Sequence, residues 1–502
     1  MKNIFKNTIF RGTAILTLAG IISRVIGFFY RIFLTRTIGA AGIGLLQLTS
    51  PILALSFALC SAGIQTAISK YCASDHSDSK IVKIDTNWFF AGLCISIPLS
   101  VLTAVIIYIY ADFLATRILL NSMCTPLIRI LALCIPFSSF HNCVNGLYFG
   151  CKKTEVPALS QLFEQITRVL CVYVYAQYQI HHGVSVTVSS AVYGNVIGEI
   201  AATVFCVGAL LGTRRTNFVK QSICNKIQPL LSYSAPLTAN RLLMHLLQSG
   251  EAILIPAQLF RYGFSNTESI RIYGILIGMA LPFILFPSAI PNALAVMLLP
   301  TVSNEQAKEN EQAIVHTTKR AMQLCLSVGF FCTIIFLLYG AKIGAILFCE
   351  PDVMHYIETL AWLCPFYYLS ITLSSILNGL GYTTSTCIQN IIGILLRITA
   401  LICIVPYKGI CGYLWGLLLS EILICILHIM KLKITLHFSI LSTHTFPGIL
   451  SAVIANGITF PIYAFILQKH IHSELICLCC AVICASLLYA TMLSIQNLHN
   501  EV

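Results

Sequence analysis

The chain has 502 residues, of which 57% are hydrophobic and only 10% are charged. A soluble domain carries about a quarter charged residues, so this composition excludes an ordinary soluble globule and places the chain among membrane proteins. The formal net charge of +12 does not point to nucleic acid, because excess Lys and Arg in the loops of a membrane chain sets its orientation.

Apolar runs of about 20 residues recur along the chain, the length a helix needs to cross a hydrocarbon core of about 30 Å. Alternation over about 10 residues, as in an outer-membrane barrel, is absent. The reading is an all-α polytopic membrane protein with about 14 transmembrane helices. The first span, 12–33, follows Lys2, Lys6 and Arg11 without a small-x-small cleavage site, and reads as a retained helix rather than a signal peptide. Spans follow at 43–70, 87–110, 125–150, 156–178 and 184–212. A second set lies at 227–258, 270–300, 319–339, 355–380, 382–405 and 409–431, and two more at 446–468 and 474–494 close the chain. The polar segment 301–318, "TVSNEQAKENEQAIVHTT", reads as a surface helix leading into span 9.

With the N-terminus in the cytoplasm, the inside segments hold 17 of the 30 Lys and Arg residues, the outside segments 8 and the spans 5. This bias follows the positive-inside rule and expects both termini in the cytoplasm.

Three landmarks recur six spans apart. Span 4 reads "LCIPFSSFHNCVNGLYFG" and span 10 "LCPFYYLSITLSSILNGLGY"; both carry Leu-Cys, Pro-Phe and then Asn-Gly-Leu. Span 5 has Arg168 and span 11 has Arg397; span 6 has Glu199 and span 12 has Glu421. The order argues for two related six-helix halves, an architecture of transporters. The division expected is an N-terminal lobe at 1–212, a cytoplasmic linker at 213–226, a C-terminal lobe at 227–431 and two additional spans within 432–502.

The 22 cysteines are scattered through the spans and read as free, small apolar residues. Cys477, Cys479, Cys480 and Cys484 lack paired metal-ligand spacing, so no metal site is expected. Span 8 concentrates Pro282, Pro287, Pro291 and Pro300, which bend a helix and release carbonyls. Without a P-loop, a catalytic triad or HExxH, the chain reads as no enzyme and as needing no cofactor. An H+ or Na+ gradient, or consumption of the cargo downstream, would supply its energy.

Charged residues inside spans are costly and are functional candidates by default. Glu164 and Arg168 stand at i, i+4 on one helix face, and Arg397 with Glu421 is the equivalent pair on consecutive spans. With Glu199, these read as coupling or structural charge pairs. Arg24 has no acid within a turn or two and is followed by Arg31; Arg241 opens span 7 as Arg24 opens span 1, with Glu251 further along. Guanidinium groups suit phosphate, so Arg24, Arg31, Arg241 and Glu251 are the candidate cavity residues for an anionic cargo. Inter-span salt bridges are the alternative for each.

The stretches "GTAILTLAGIISRVIGFFYRIFLTRTIGAAGIGLLQL", "SAGIQTAISKY" and "FPSAIPNALAVMLLPTVSNEQA" resemble the stage V sporulation protein B branch of the MOP flippase superfamily, which includes polysaccharide-unit flippases, the lipid II flippase and MATE antiporters. The resemblance implies a MATE-like fold of fourteen helices in two lobes around an alternating cavity. It further implies a monomer in the bacterial cytoplasmic membrane that flips a lipid-linked oligosaccharide or undecaprenyl-pyrophosphate precursor. Ser23, Arg24, Gly27 and Phe28 match the Ser-Arg-x-x-Gly-Phe pattern of lipid II flippases; Tyr30 stands where that pattern has a second arginine, and Arg31 comes one residue later. A MATE-like cation antiporter, for which Glu251 is the available acid, and a non-transporting envelope or sporulation scaffold are the alternatives.

Overall fold

The computed structural model describes residues 8–74, 86–212, 223–436, 445–467 and 473–501. Lys2, Lys6, the 75–85 connection and residues 213–222 of the expected linker lie outside the described residues. Among the described residues every regular element is helical. Among the described residues ten helices are long and apolar enough to cross a membrane, or eleven when the bent pair Val353–Leu360 and Leu363–Gly379 counts as one span. The expectation of fourteen differs for two physical reasons. Spans 1 and 2 run as one stretch from Ala14 to Ala73, and the helices Glu155–His181 and Cys224–Tyr262 carry internal charges that lower their apolarity.

The first of these stretches bends at Gly39, whose φ of 72° and ψ of 176° lie outside the helical region. Nothing stands within 4 Å of a Cβ built there, so the backbone conformation alone asks for glycine. A π-helical turn at Ala58–Ala62 then leads into the helix Gly63–Ser74. Its loosened carbonyls are satisfied from neighbouring helices, since Ser96 Oγ donates to Cys60 O at 2.6 Å. Span 8 is broken where its prolines stand. A π turn at Gly274–Ala280, a helix Leu281–Leu285 that begins with Pro282, and a 3-10 turn at Phe286–Ser288 precede the helix Ala289–Ala307. The polar 301–318 segment is two helix ends rather than one surface helix. Asn310 interrupts it and caps the helix Glu311–Ile335, its Oδ1 accepting from Ala313 N at 3.2 Å.

The chain forms two compact units, one of residues 1–257 and 265–274, the other of residues 258–264 and 275–502. Helix Cys224–Tyr262 packs with the first unit as far as Ala257, although chain order would count it with the second repeat. Repeat membership follows sequence order; packing follows complementary surfaces.

Each unit repeats the same internal contacts. In the first, a Cβ on Gly146 would lie 2.7 Å from Gln65 O, so the Asn-Gly of span 4 lets its backbone approach span 2. In the second, a Cβ on Gly379 would lie 2.9 Å from Leu299 O, placing the Asn-Gly of span 10 against span 8. The helices Glu155–His181 and Val188–Gly212 meet at Gly198, 3.2 Å from Glu164 O by the same construction. Their counterparts Thr383–Cys403 and Ile410–Leu436 approach at Gly393, 3.9 Å from Ser420 O. The close glycine approaches of the two units therefore fall at equivalent positions of the recurring motifs.

Candidate functional site

The first unit contains a cavity of about 390 Å³ with a polar wall. Ser138, Ser139, His141 and Asn142 line it from helix Cys134–Gly150, Glu164 from Glu155–His181, Glu199 from Val188–Gly212 and His245 from Cys224–Tyr262. Leu53, Ala54 and Phe57 of the first helix close its apolar side. Asn142 is held by its own helix, Nδ2 donating to Ser138 O at 2.7 Å.

The charges form two neighbouring pairs. Arg168 bonds Glu164, one turn earlier on the same helix, and its Nη1 reaches Gln165 Oε1 at 3.4 Å. His141 Nδ1 stands 3.1 Å from Glu199 Oε2 across helices, at ion-pair distance, and neither atom has a hydrogen-bond partner among the described residues. Desolvated charges persist in such a place only when matched, and each acid here has a basic neighbour. His141 was not among the residues that spacing singled out. Its one sequence signal was a lone histidine in an apolar span, which more often marks packing than chemistry.

The second unit places Arg397 Nη1 3.4 Å from Glu421 Oε1, with side chains only 14% and 8% exposed. Ser370 Oγ donates to the other carboxylate oxygen at 3.2 Å. Two turns along, buried His428 Nδ1 lies 2.7 Å from Gln389 Oε1, and Gln389 Nε2 donates to Leu427 O at 3.1 Å.

The expected anion-binding arginines have different surroundings. Arg241 is engaged with the wall of the first unit: Nη1 donates to Ala62 O at 3.0 Å and Nη2 to Thr66 Oγ1 at 3.2 Å. Glu251 is buried and Arg31 half-buried. Arg24 is exposed, with no ion pair or hydrogen bond among the described residues. The exposed apolar side chains of its helix, Leu18, Ile22, Val25 and Phe29, form one stripe. At 100° per residue Arg24 lies about 130° around the helix from the middle of that stripe and within about 20° of Arg31. Gly20, one turn earlier near that face, has nothing within 4 Å of a built Cβ, whereas Gly27 packs 3.4 Å from Gln165 Nε2. Arg24 thus projects neither with the apolar stripe nor into the packed face. Arg129, also within a span, is exposed and sits 6.0 Å from the Tyr108 ring.

A polysaccharide biosynthesis protein family model matches residues 9–260, and a MatE model matches residues 268–401. Stage V sporulation protein B of Bacillus subtilis (strain 168) is 26% identical over 450 residues, covering 87% of this chain and 85% of that protein. Lipid II flippase MurJ of the same organism is 22% identical over 423 residues, covering 77% of this chain and 76% of its own length. Among solved structures, a lipid II flippase MurJ in an inward closed conformation superposes with a TM-score of 0.69 at 12% identity, covering 97% of this chain and 99% of that one. An inward-facing multidrug resistance MATE family transporter gives 0.67 at 15% identity, covering 84% and 98%. At such identities the structures establish the fold, a polytopic helical transporter fold of the MOP type. With the family model spanning half of its length, the chain belongs to the polysaccharide biosynthesis protein family, on the stage V sporulation protein B branch of the MOP superfamily.

Proposed function

We propose that this protein is a membrane flippase that moves an anionic lipid-linked glycan, or a peptidoglycan-type precursor, across the cytoplasmic membrane by alternating access. Family membership and the flippase among its relatives support a translocated lipid-linked cargo. The observation that carries the anionic part is Arg24. An unpaired guanidinium in hydrocarbon costs roughly 2.5–3.5 kcal/mol even on the lenient insertion scale. A side chain bearing that cost, turned away from the apolar stripe and engaged by none of the described residues, suits a polar ligand that arrives and leaves. A pyrophosphate linkage offers paired oxygens matching the guanidinium fork. Arg31 shares the face and adds positive potential.

In this reading both termini lie in the cytoplasm, the protein acts as a monomer, and its halves are those expected from the repeat. Arg241 contributes less to cargo binding than its place in the repeat suggests, because its donors already serve Ala62 and Thr66.

The test is reconstitution into liposomes with defined lipid-linked oligosaccharides and lipid II, following exposure of the headgroup on the opposite leaflet. Translocation of one such lipid, lost in Arg24→Ala at unchanged protein content, is the expected result. Wild-type activity in that variant would remove the anionic assignment. Exchange of a cationic dye for protons, with lipid-linked sugars ignored, would replace the flippase by a cation antiporter. No movement of either, with the physiological phenotype retained in a charge-reversed Arg24 variant, would leave a scaffold.

A further inference from the structure

The two repeats carry the same charged landmarks but wire them differently. In the second unit Arg397 pairs across helices with Glu421. In the first, the equivalent arginine, Arg168, is bonded by Glu164 on its own helix. Four residues before Arg397 the matching position is Gly393, which has no side chain to offer. The equivalence holds in space, because Glu164 meets Gly198 where Gly393 meets Ser420, each next to the acid of the following helix. Arg168 itself packs against that point, its Nε 3.4 Å from a Cβ built on Gly198. Glu164 therefore removes Arg168 from Glu199, and Glu199 meets His141 instead.

We propose that His141 and Glu199 form a proton-binding site in the first unit, created by Glu164's capture of Arg168 and without a counterpart among the described residues of the second. The chemistry of the partners makes the difference. Guanidinium stays charged throughout the physiological range, so Arg397–Glu421 is a permanent pair. Imidazole, unlike guanidinium, can take up and release a proton, so of the two pairs His141–Glu199 is the one able to exchange a proton with water. His141 is only 7% exposed overall, yet it lines the cavity, which is large enough to bring water to it. A proton taken from that water sits at Nδ1, facing Glu199 Oε2, and returns to water on release.

Other charged or titratable groups face this pair from the elements around it. Helix Glu155–His181 contributes Glu164 and Arg168, and helix Cys224–Tyr262 contributes His245. Cys134 comes from His141's own helix, and Tyr30 of the first helix lies near Arg168. The helices Gly63–Ser74 and Asn87–Ile109 bring no residue to the cavity wall. Among these groups Glu164 acts as the insulator. Without it, Arg168 is free to swing to Glu199, as Arg397 sits on Glu421, and a fixed cation beside His141 expels the proton.

The assignment is independent of the cargo and is tested without one. Purified protein in phosphatidylcholine liposomes is stepped from about pH 8 to about pH 5.5, which brackets the ordinary imidazole range. Proton uptake is counted with a soluble indicator. Relative to wild type, H141Q, E164Q and E164G are each expected to take up about one proton fewer. The double variant E164Q/R168Q, with no guanidinium to swing, is expected to regain it. In the H141Q background E164Q must make no further difference. E164Q is isosteric and decides the matter if E164G does not fold. Wild-type uptake in H141Q or in E164Q would overturn the site. An additional loss on adding E164Q to H141Q would place the proton on Glu164 and overturn it equally.

Discussion

Arg241 Nη1 donates to Ala62 O at 3.0 Å, at the last residue of the π turn, while its Nη2 bonds Thr66 Oγ1 at 3.2 Å. One side chain thereby fastens the helix Cys224–Tyr262 to the second span at the point where that span's own ladder is loosened. Close approach makes this reach possible, since a Cβ on Gly63 would lie 2.7 Å from Ser234 O.

Arg241→Ala is accordingly expected to lower stability by about 1.5–3 kcal/mol, the range for hydrogen bonds to a charged group. The measurement is the thermal midpoint of the purified protein. Arg241→Lys should recover only part, because an ammonium does not span two acceptors as a fork does. A midpoint unchanged in the alanine variant, with transport lost, would return Arg241 to the cargo site.

Arg24 predicts the opposite combination. It has no partner among the described residues, so Arg24→Leu should leave stability within about 0.5 kcal/mol or raise it. Translocation should disappear in the same variant and persist in weakened form in Arg24→Lys. Measuring both on one preparation separates a cargo contact from a structural cation.

Gly146 and Gly379 occupy equivalent positions, and each faces a backbone oxygen that cannot retreat like a side chain. Gly146→Ala and Gly379→Ala should each cost about 1–3 kcal/mol. Gly20→Ala is the control of opposite sign, since open space surrounds it and alanine favours a helix by up to about 1 kcal/mol. Equal shifts at all three positions would mean that propensity, not helix contact, governs them.

The pair Arg397–Glu421 is nearly buried, so removing one member strands the other. Arg397→Ala should cost about 3–5 kcal/mol, while Arg397→Met with Glu421→Leu should recover most of it. A double variant as unstable as the single one would show that Glu421 also depends on Ser370 and the packing around it.

Much of the fold is legible in the chain because lipid imposes it. Backbone groups must be satisfied within each span, so long apolar runs such as 87–110 leave little choice but helix. The repeat is legible for a similar reason: an Asn-Gly before a helix end marks where two backbones touch, in span 4 and again in span 10. Fewer of the described helices are long and apolar enough to span than the fourteen expected, because the first two spans run on through the kink at Gly39 and two helices carry internal charge. The candidate site divides along the same line. Glu164 and Arg168 at i, i+4 are neighbours on any helix. His141 and Glu199 are 58 positions apart in the chain, and no local period connects them.

By itself the sequence determined that this is a helical membrane protein of two related halves with arginines placed against the hydrophobic grain. Periodicity and the cost of charge in lipid act locally, so they can be read in order along the chain. Only the tertiary structure decided which charges meet. It tied Arg241 to Ala62 and Thr66, left Arg24 without a partner among the described residues, and gave Glu199 a histidine where Glu421 has an arginine. Those choices rest on which helix faces approach closely enough for hydrogen bonds of about 3 Å, a distance set by packing between segments far apart in the chain.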